Sequence, residues 1–280
     1  MKRSSKGSTS ILDSNRPLVL IVDDNPITVH ILGMALQQVG VQFLAVRNGL
    51  KAIAAAKMRS FNLILMDIMM PMMDGMQATR AIRELSPRCA SMPIIAVTSR
   101  FDAETLAEYS AAGLTNSIDK PVNFRAFFHT ISQYMVLDRA LVSATMQRIE
   151  EDVSFGHSAR ESDALNWEIM HQYKAILREE FLPLLDNFLR DSPLEVYDLG
   201  EAIEARDPKA TQFIAHRFKS SCMVFGAQKL SQYAEDVEYQ GKRESFTKID
   251  STFETLKESF ILSRHELEKH SASLHFGAAQ

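Results

Sequence analysis

The sequence LVLIVDDN, residues 18–25, joins a short apolar run to two consecutive carboxylates. Similar but mostly shorter runs recur along the first half of the chain, at 43–46, 63–66, 93–98 and 115–119. The segments between them carry apolar residues at three- and four-residue spacing, which is typical of helices. Apolar strands that alternate with helices predict a parallel sheet covered by helices on both faces. We therefore predict a doubly wound α/β domain of five strands and five helices at residues 16–136.

Polar residues gather at the carboxyl ends of these predicted strands. They are Asp23, Asp24, Asp67, Thr98 and Lys120. Ligands bind at this edge of a parallel sheet, and capping or turn formation alone does not account for five such positions. Three carboxylates in one crevice repel each other unless a cation neutralises them, and oxygen ligands suit Mg²⁺, which also binds phosphate. A lysine and a hydroxyl opposite them are suited to hold a phosphoryl group.

The second half of the chain is predicted to be almost entirely helical. Ser192-Pro193 and Asp207-Pro208 each have the form of a cap followed by a proline in the first turn. The predicted helices are 166–176, 178–190, 193–205, 208–224, 228–240 and 245–268. We predict an antiparallel helical bundle at 166–270. A flexible tail at 1–15, a linker at 137–165 with a helix at 139–152, and a tail at 271–280 complete the predicted organisation.

His216 lies on the predicted helix 208–224. At about 100° per residue, Phe218 and Cys222 lie on one side of this helix and His216 on the other, with Lys219 nearby. The pattern predicts an exposed imidazole. A neutral imidazole nitrogen can attack phosphorus, and Lys219 can lie over phosphoryl charge. A lone histidine on a helix is usually an ordinary surface residue, so the pattern alone leaves both interpretations open.

Composition and charge exclude several classes of protein. Hydrophobic residues make up 46% of the chain, and the two cysteines offer no disulfide framework, which fits a reducing cytoplasm. No apolar run approaches the roughly 18 residues of a membrane span. Residues 136–280 carry seventeen Lys or Arg and twenty-five Asp or Glu, net −8. Such an acidic half argues against nucleic acid as a partner.

Four motifs of the first half resemble the response-regulator receiver domain, which has a flavodoxin-like fold. They are VDDN at 22–25, MDIMMPMMDG at 66–75, VTS at 97–99 and DKP at 119–121. The resemblance implies that Asp67 is the phosphoryl acceptor. It implies that Asp23, Asp24 and Asp67 bind Mg²⁺ together with the backbone carbonyl of Met69, and that Thr98 and Lys120 hold the phosphoryl oxygens.

Three positions near this predicted site bear on switching and lifetime. The family usually has an aromatic residue three positions before the lysine, as part of a rotamer switch, and this chain has Ser117 there. The usual coupling of Thr98 to the last helices and strand is therefore not implied. We expect Met69 and Arg100 to slow hydrolysis of the phospho-aspartate, because methionine cannot orient a water and arginine can pair with phosphoryl oxygens.

The sequence AHRFKSSCMVFGAQKL, residues 215–230, resembles the histidine phosphotransfer (HPt) domain. The resemblance implies that His216 is a second phosphoryl acceptor assisted by Lys219. Together the two resemblances imply a two-component phosphorelay protein that is not a kinase, since no glycine-rich ATP-binding segment is found. The implied partners are a sensor histidine kinase and the receiver or HPt domains of other response regulators. The alternative is an adaptor in which phosphorylation of the first domain gates protein binding by the helical one.

Overall fold

A computed structural model describes residues 16–99, 103–156 and 164–278. The predicted tail at 1–15, part of the predicted linker and Arg100 lie outside the described residues. Among the helices that are described, none is long and apolar enough to cross a membrane.

The first half of the chain folds as a parallel sheet with helices on both faces, which confirms the α/β prediction. The described residues of this half form six helices rather than the five predicted, because Ser86 caps a short additional helix that begins at Pro87. Within the described residues the sheet has five strands in the order β2-β1-β3-β4-β5. The strands are β1 (Leu18–Val22), β2 (Gln42–Val46), β3 (Leu63–Asp67), β4 (Ile94–Thr98) and β5 (Asn116–Asp119). The helices are α1 (Pro26–Gln38), α2 (Gly49–Met58), α3 (Gly75–Arg83), α4 (Pro87–Ser91), α5 (Ala103–Ala111) and α6 (Phe124–Ser132).

The strand register brings the polar strand ends together. Val22 pairs with Met66, so Asp23 directly follows β1 beside the end of β3. Asp67 pairs with Val97, and Thr98 pairs with Asp119, the residue before Lys120. Every residue of β3 and β4 is buried, because helices cover both faces of the sheet. Only the carboxyl ends of these strands are therefore left to form a site.

The second half is a helical bundle joined to the sheet domain by a further helix. The elements are α7 (Arg139–Gly156), α8 (Trp167–Leu177), a 3-10 turn at Arg178–Glu180, α9 (Phe181–Glu204), α10 (Pro208–Val224), α11 (Gln228–Lys242) and α12 (Ile249–Ala278). The last helix continues well past residue 271, where a tail was predicted. Ser271 on it is buried and donates a hydrogen bond to Asp186 at 2.7 Å.

The predicted helix start at Ser192-Pro193 is wrong. Pro193 lies inside α9, which runs unbroken from Phe181 to Glu204. A proline inside a helix removes one backbone hydrogen bond and costs about 3 kcal/mol. Here the helix buries apolar side chains on both sides of the proline, including Leu189 and Val196. Burial of such side chains contributes about 1.5–3 kcal/mol each, which outweighs the local preference of the proline.

The two halves share one hydrophobic core. The buried residues on one face of the sheet form a single cluster with those of the bundle, from Val19 through Phe124 to Phe218. Tyr173 of α8 packs edge-on against Phe124 with ring centroids 5.3 Å apart. Its hydroxyl oxygen accepts a hydrogen bond from the backbone N–H of Val122 at 2.8 Å. The bundle is therefore packed directly on the sheet domain, on the side of α1 and α6.

Candidate functional site

Three carboxylates meet at the carboxyl edge of the sheet. One oxygen each from Asp23, Asp24 and Asp67 lie within 4.8 Å of one another. Lys120 follows β5 and reaches across this edge, where its Nζ donates to Asp23 Oδ2 at 2.9 Å and to Asp67 Oδ1 at 3.1 Å. The backbone N–H of Asn25 donates to Asp23 Oδ1 at 2.9 Å. The four charged side chains thus form one compact cluster.

The cluster carries more negative charge than its single lysine offsets. Burial, and secondarily the charge of Asp67, raise the pKa of Asp23 to about 7 even though Lys120 lowers it. Burial and Asp67 together raise the pKa of Asp24 to about 6. The two carboxylates outweigh the effect of burial on Lys120 and raise the pKa of its ammonium group. A divalent cation bound by these oxygens would relieve the repulsion, so the residues fit Mg²⁺.

Asp67 keeps one carboxylate oxygen without a partner. Lys120 occupies Oδ1, whereas Oδ2 is buried and has no hydrogen bond among the described residues. Thr98, also buried, lies at the end of the neighbouring strand, and its Oγ1 is 3.0 Å from the hydroxyl of Tyr109 on α5. A buried oxygen without a partner is costly, at about 1–3 kcal/mol, and points to a ligand or reacting group at that position.

Helix α10 lies across the loops that surround Asp67. The side-chain amide of Asn25 donates to Ser221 Oγ at 3.1 Å and to the carbonyl oxygen of Arg217 at 3.2 Å. Lys219 Nζ donates to Ser99 Oγ, directly after Thr98, at 2.9 Å. The loops after β1 and β4 therefore both contact α10, the helix that carries His216.

His216 is buried at 5% exposure, and the prediction of an exposed imidazole is wrong. The helical periodicity correctly assigned His216 to the side opposite Phe218, but that side packs on the sheet domain rather than facing solvent. His216 lies close enough to the carboxylates for its charge to lower the pKa of Asp24. Among the described residues, its Nε2 is a buried atom without a hydrogen-bond partner.

Glu238 of α11 orients the imidazole. His216 Nδ1 lies 3.1 Å from Glu238 Oε1, and Lys219 Nζ lies 2.6 Å from Glu238 Oε2. Burial would raise the pKa of Glu238, but the hydrogen bonds and charges of His216 and Lys219 outweigh it and hold the pKa at about 2. Glu238 is therefore ionised and can only accept, so Nδ1 carries the proton. The lone pair of a neutral His216 is then on Nε2.

Lys219 does not point freely into the crevice. Its ammonium group is buried between Ser99, Glu238 and Glu235, the last at 3.3 Å. It donates hydrogen bonds to Ser99 and Glu235 and forms an ion pair with Glu238. The expectation that Lys219 covers phosphoryl charge stays a prediction. Its position beside Ser99 does bring its charge to the margin of the carboxylate cluster.

Sequence reasoning missed the residues that connect the two halves. Asn25 is recognisable as the cap of α1, but nothing local indicates that its amide also binds α10. Glu238 is separated from His216 by 22 positions and meets it only because α10 and α11 pack side by side. Tyr173 and Tyr109 look like ordinary core aromatics, and their hydroxyl contacts depend on tertiary packing.

Comparisons with known proteins agree with this architecture. The response regulator receiver domain matches residues 19–132, and the Hpt domain matches residues 183–264. The sensor histidine kinase GacS of Pseudomonas protegens is 28% identical over 254 residues, 89% of this chain and 27% of that protein. Probable histidine kinase 1 of Oryza sativa subsp. indica is 34% identical over 165 residues, 48% of this chain and 17% of that protein. The chain thus spans about a quarter or less of these relatives.

Solved receiver domains also match the first half. One of them is the receiver domain of a sensor histidine kinase from Pseudomonas aeruginosa, solved with a magnesium ion coordinated in its active-site cleft. It is 27% identical to this chain, with a TM-score of 0.40, and the match covers 42% of this chain and 97% of that one. The fold and the carboxylate edge define a response regulator receiver domain, and the bundle that follows it is an Hpt domain. The chain therefore carries two domains of two-component signalling in the order receiver then Hpt, and its sequence is similar to parts of the sensor histidine kinases GacS and BarA.

Proposed function

We propose that Asp67 and His216 are the two phosphoryl acceptors of this chain and that they exchange the group within one molecule. One observation carries this proposal. Among the described residues, Asp67 Oδ2 and His216 Nε2 are both buried without hydrogen-bond partners, on the two sides of one interface. These are the atoms that would bond to phosphorus, and a nucleophile needs a free lone pair. The contacts of Asn25 and Lys219 hold the two sides in register.

The groups present account for every bond and electron pair in the transfer step. The Nε2 lone pair of neutral His216 attacks phosphorus, the bond between phosphorus and Asp67 Oδ2 breaks, and its electrons return to the carboxylate. The ring becomes cationic as the N–P bond forms. Its Nδ1 proton stays in the hydrogen bond to Glu238, whose negative charge stabilises the cation. In the reverse step Asp67 Oδ2 is the nucleophile and Nε2 the leaving group.

We propose that the carboxylates of Asp23, Asp24 and Asp67, with the backbone carbonyl of Met69, hold Mg²⁺. When bound, the ion neutralises charge on the phosphoryl oxygens. Lys120 already contacts Asp67, and Thr98 ends the adjacent strand, so both can donate to phosphoryl oxygens. The donors are fixed by the sheet before any reaction, which lowers the cost of reorganisation.

The proposed division of the chain is a receiver unit at 16–136, a connecting segment at 137–165 and an Hpt unit that runs from residue 166 to the end of α12. The partners we propose are a sensor histidine kinase and the receiver or HPt domains of other response regulators, in the cytoplasm. Asp67 and His216 are both buried where the two halves meet, so exchange with a separate protein requires the two halves to part. The net charge of −8 over residues 136–280 disfavours nucleic acid as a partner.

A second candidate function is a phosphorylation-gated adaptor. It is favoured by the position of the interdomain contacts, which involve Asn25 and Ser99 in the loops around Asp67. A phosphoryl group on Asp67 would enter this contact region and change how well α10 fits. The surface of α10 would then become available to another protein. In this alternative, transfer to His216 is secondary.

The test labels the full chain with radioactive acetyl phosphate and Mg²⁺. Asp67→Asn should abolish all labelling, and His216→Gln should leave only a base-labile acyl phosphate. The parent chain should also form acid-labile phosphohistidine, at a rate independent of protein concentration. A mixture of the Asp67→Asn and His216→Gln chains is the control for transfer between molecules.

Undiminished labelling of Asp67→Asn would exclude Asp67 as the acceptor. Phosphohistidine formation that rises with protein concentration would exclude exchange within one molecule. Acyl phosphate without any phosphohistidine would favour the adaptor.

A further inference from the structure

A tyrosine hydroxyl reaches the proposed phosphoryl site from the far side of β4. Tyr109 of α5 is buried, and its hydroxyl lies 3.0 Å from Thr98 Oγ1, which is also buried. Both residues lie within the receiver half, so the contact does not depend on how the bundle is docked. Buried hydroxyl pairs at this distance are hydrogen-bonded, and either oxygen can be the donor.

Small residues beside Thr98 make room for the ring. Ala96 lies two residues before Thr98 on the same side of β4, and its partner on β5 is Ser117. Tyr109 belongs to the same buried cluster as Ala96 and Ile94. A larger side chain at either position would compete with the tyrosine for space on this face of the sheet. Small side chains at Ala96 and Ser117 are therefore consistent with the position of Tyr109 beside Thr98.

The proton count makes this contact useful for phosphoryl transfer. Thr98 has one hydroxyl proton, and in the proposed function that proton is donated to a phosphoryl oxygen on Asp67. Because its one proton is then in use, Thr98 Oγ1 can only accept hydrogen bonds from other groups. If the tyrosine donates, its O–H fixes the Thr98 rotamer and leaves the threonine proton for the phosphoryl group. A donated hydrogen bond also polarises the Thr98 hydroxyl and strengthens its own donation.

We propose that Tyr109 is a positioning residue for phosphoryl transfer, acting through Thr98. The inference rests on the proposed function, because it needs phosphorylation at Asp67. Through Tyr109, helix α5 would then be hydrogen-bonded to a residue that contacts the phosphoryl group. When Thr98 turns its proton to a phosphoryl oxygen, Tyr109 is held as donor, and when the group leaves either hydroxyl can donate.

The experiment measures labelling of Asp67 by acetyl phosphate and Mg²⁺ in the full chain, with His216→Gln in every sample so that Asp67 is the sole acceptor. Tyr109→Phe removes one oxygen and keeps the ring. Tyr134→Phe is the matched control, since its hydroxyl accepts from Asn116 at 3.3 Å, away from the carboxylates. A neutral hydrogen bond corresponds to a change of about two- to tenfold in rate, and Tyr109→Phe should slow labelling by that factor while Tyr134→Phe does not.

A double-mutant cycle separates positioning from packing. With Thr98→Ala present, Tyr109→Phe should have no further effect, and with Thr98→Ser present it should still slow labelling. The inference is overturned if Tyr109→Phe labels at the parent rate, or if it slows labelling equally with and without Thr98→Ala. Labelling that survives Asp67→Asn would instead overturn the proposed function, so the two failures are distinguishable.

Discussion

The hydroxyl of Tyr173 is the most direct test of how the bundle is docked on the receiver. Tyr173→Phe removes the acceptor of the Val122 N–H and keeps the ring that packs against Phe124. Burial raises the pKa of Tyr173, so the phenol is neutral at physiological pH and the change removes no charge. The docked form of the variant would hold a buried N–H without a partner.

The size of the effect follows from this one group. A buried donor left without a partner costs about 1–3 kcal/mol. In the undocked form water satisfies the N–H, so the whole cost falls on the docked form. With about 1.4 kcal/mol for each factor of ten, the undocked population should rise about 5- to 150-fold.

The assay is hydrogen exchange of the Val122 amide in the full chain. Its protection should fall by the same factor in Tyr173→Phe, and acid-labile phosphohistidine should form more slowly because docking precedes transfer. Tyr197→Phe is the matched control, since Tyr197 lies on α9 and is 61% exposed. If the Val122 amide of Tyr173→Phe exchanges at the parent rate, the reasoning about the docked arrangement is refuted.

Three other predictions follow. Glu238→Gln should slow the formation of phosphohistidine at His216 by about tenfold or more, because a hydrogen bond to a charged group contributes about 1.5–3 kcal/mol. Labelling of the receiver by acetyl phosphate should stay unchanged in the same assay. Mg²⁺ affinity, measured by calorimetry, should rise between pH 5 and pH 8. The pKa is raised to about 7 for Asp23 and to about 6 for Asp24, so at pH values below these protons compete with Mg²⁺ for the carboxylates. An affinity that does not change with pH would contradict this prediction. Gly226→Ala should lower the free energy of unfolding of the Hpt domain by about 1–3 kcal/mol in urea titrations, because Gly226 has φ of +71° and a Cβ there would lie 2.4 Å from a backbone oxygen.

The receiver fold was predictable because each of its parts has a local signal. The run 18–22 was predicted to the residue, since a strand buried on both faces shows its apolar character directly in the sequence. Asp67 and Lys120 were identified because strand ends in parallel sheets converge on one edge. Their contacts then follow from the register, which the strand pattern already implies.

The errors came from packing between distant segments. Periodicity assigns a residue to a side of its helix but does not say what covers that side, which is why His216 was expected to be exposed. Ser192-Pro193 has the local form of a helix start, yet burial on both sides of the proline keeps α9 continuous. The partner of His216, Glu238, lies on a different helix, and no spacing rule connects them. Local rules therefore predicted the candidate residues but not the residues that surround them.

The burial of both Asp67 and His216 at the junction of the two halves has a consequence for signalling fidelity. A separate protein at roughly micromolar concentration competes with a tethered partner whose effective concentration is on the order of millimolar, a ratio of about a thousandfold. An unrelated kinase or receiver with only modest affinity is excluded by this competition, without any repulsive surface. Under the proposed function the chain would be insulated from cross-talk, and the rate of phosphoryl transfer to outside partners would be set by how often the two halves part rather than by how abundant those partners are.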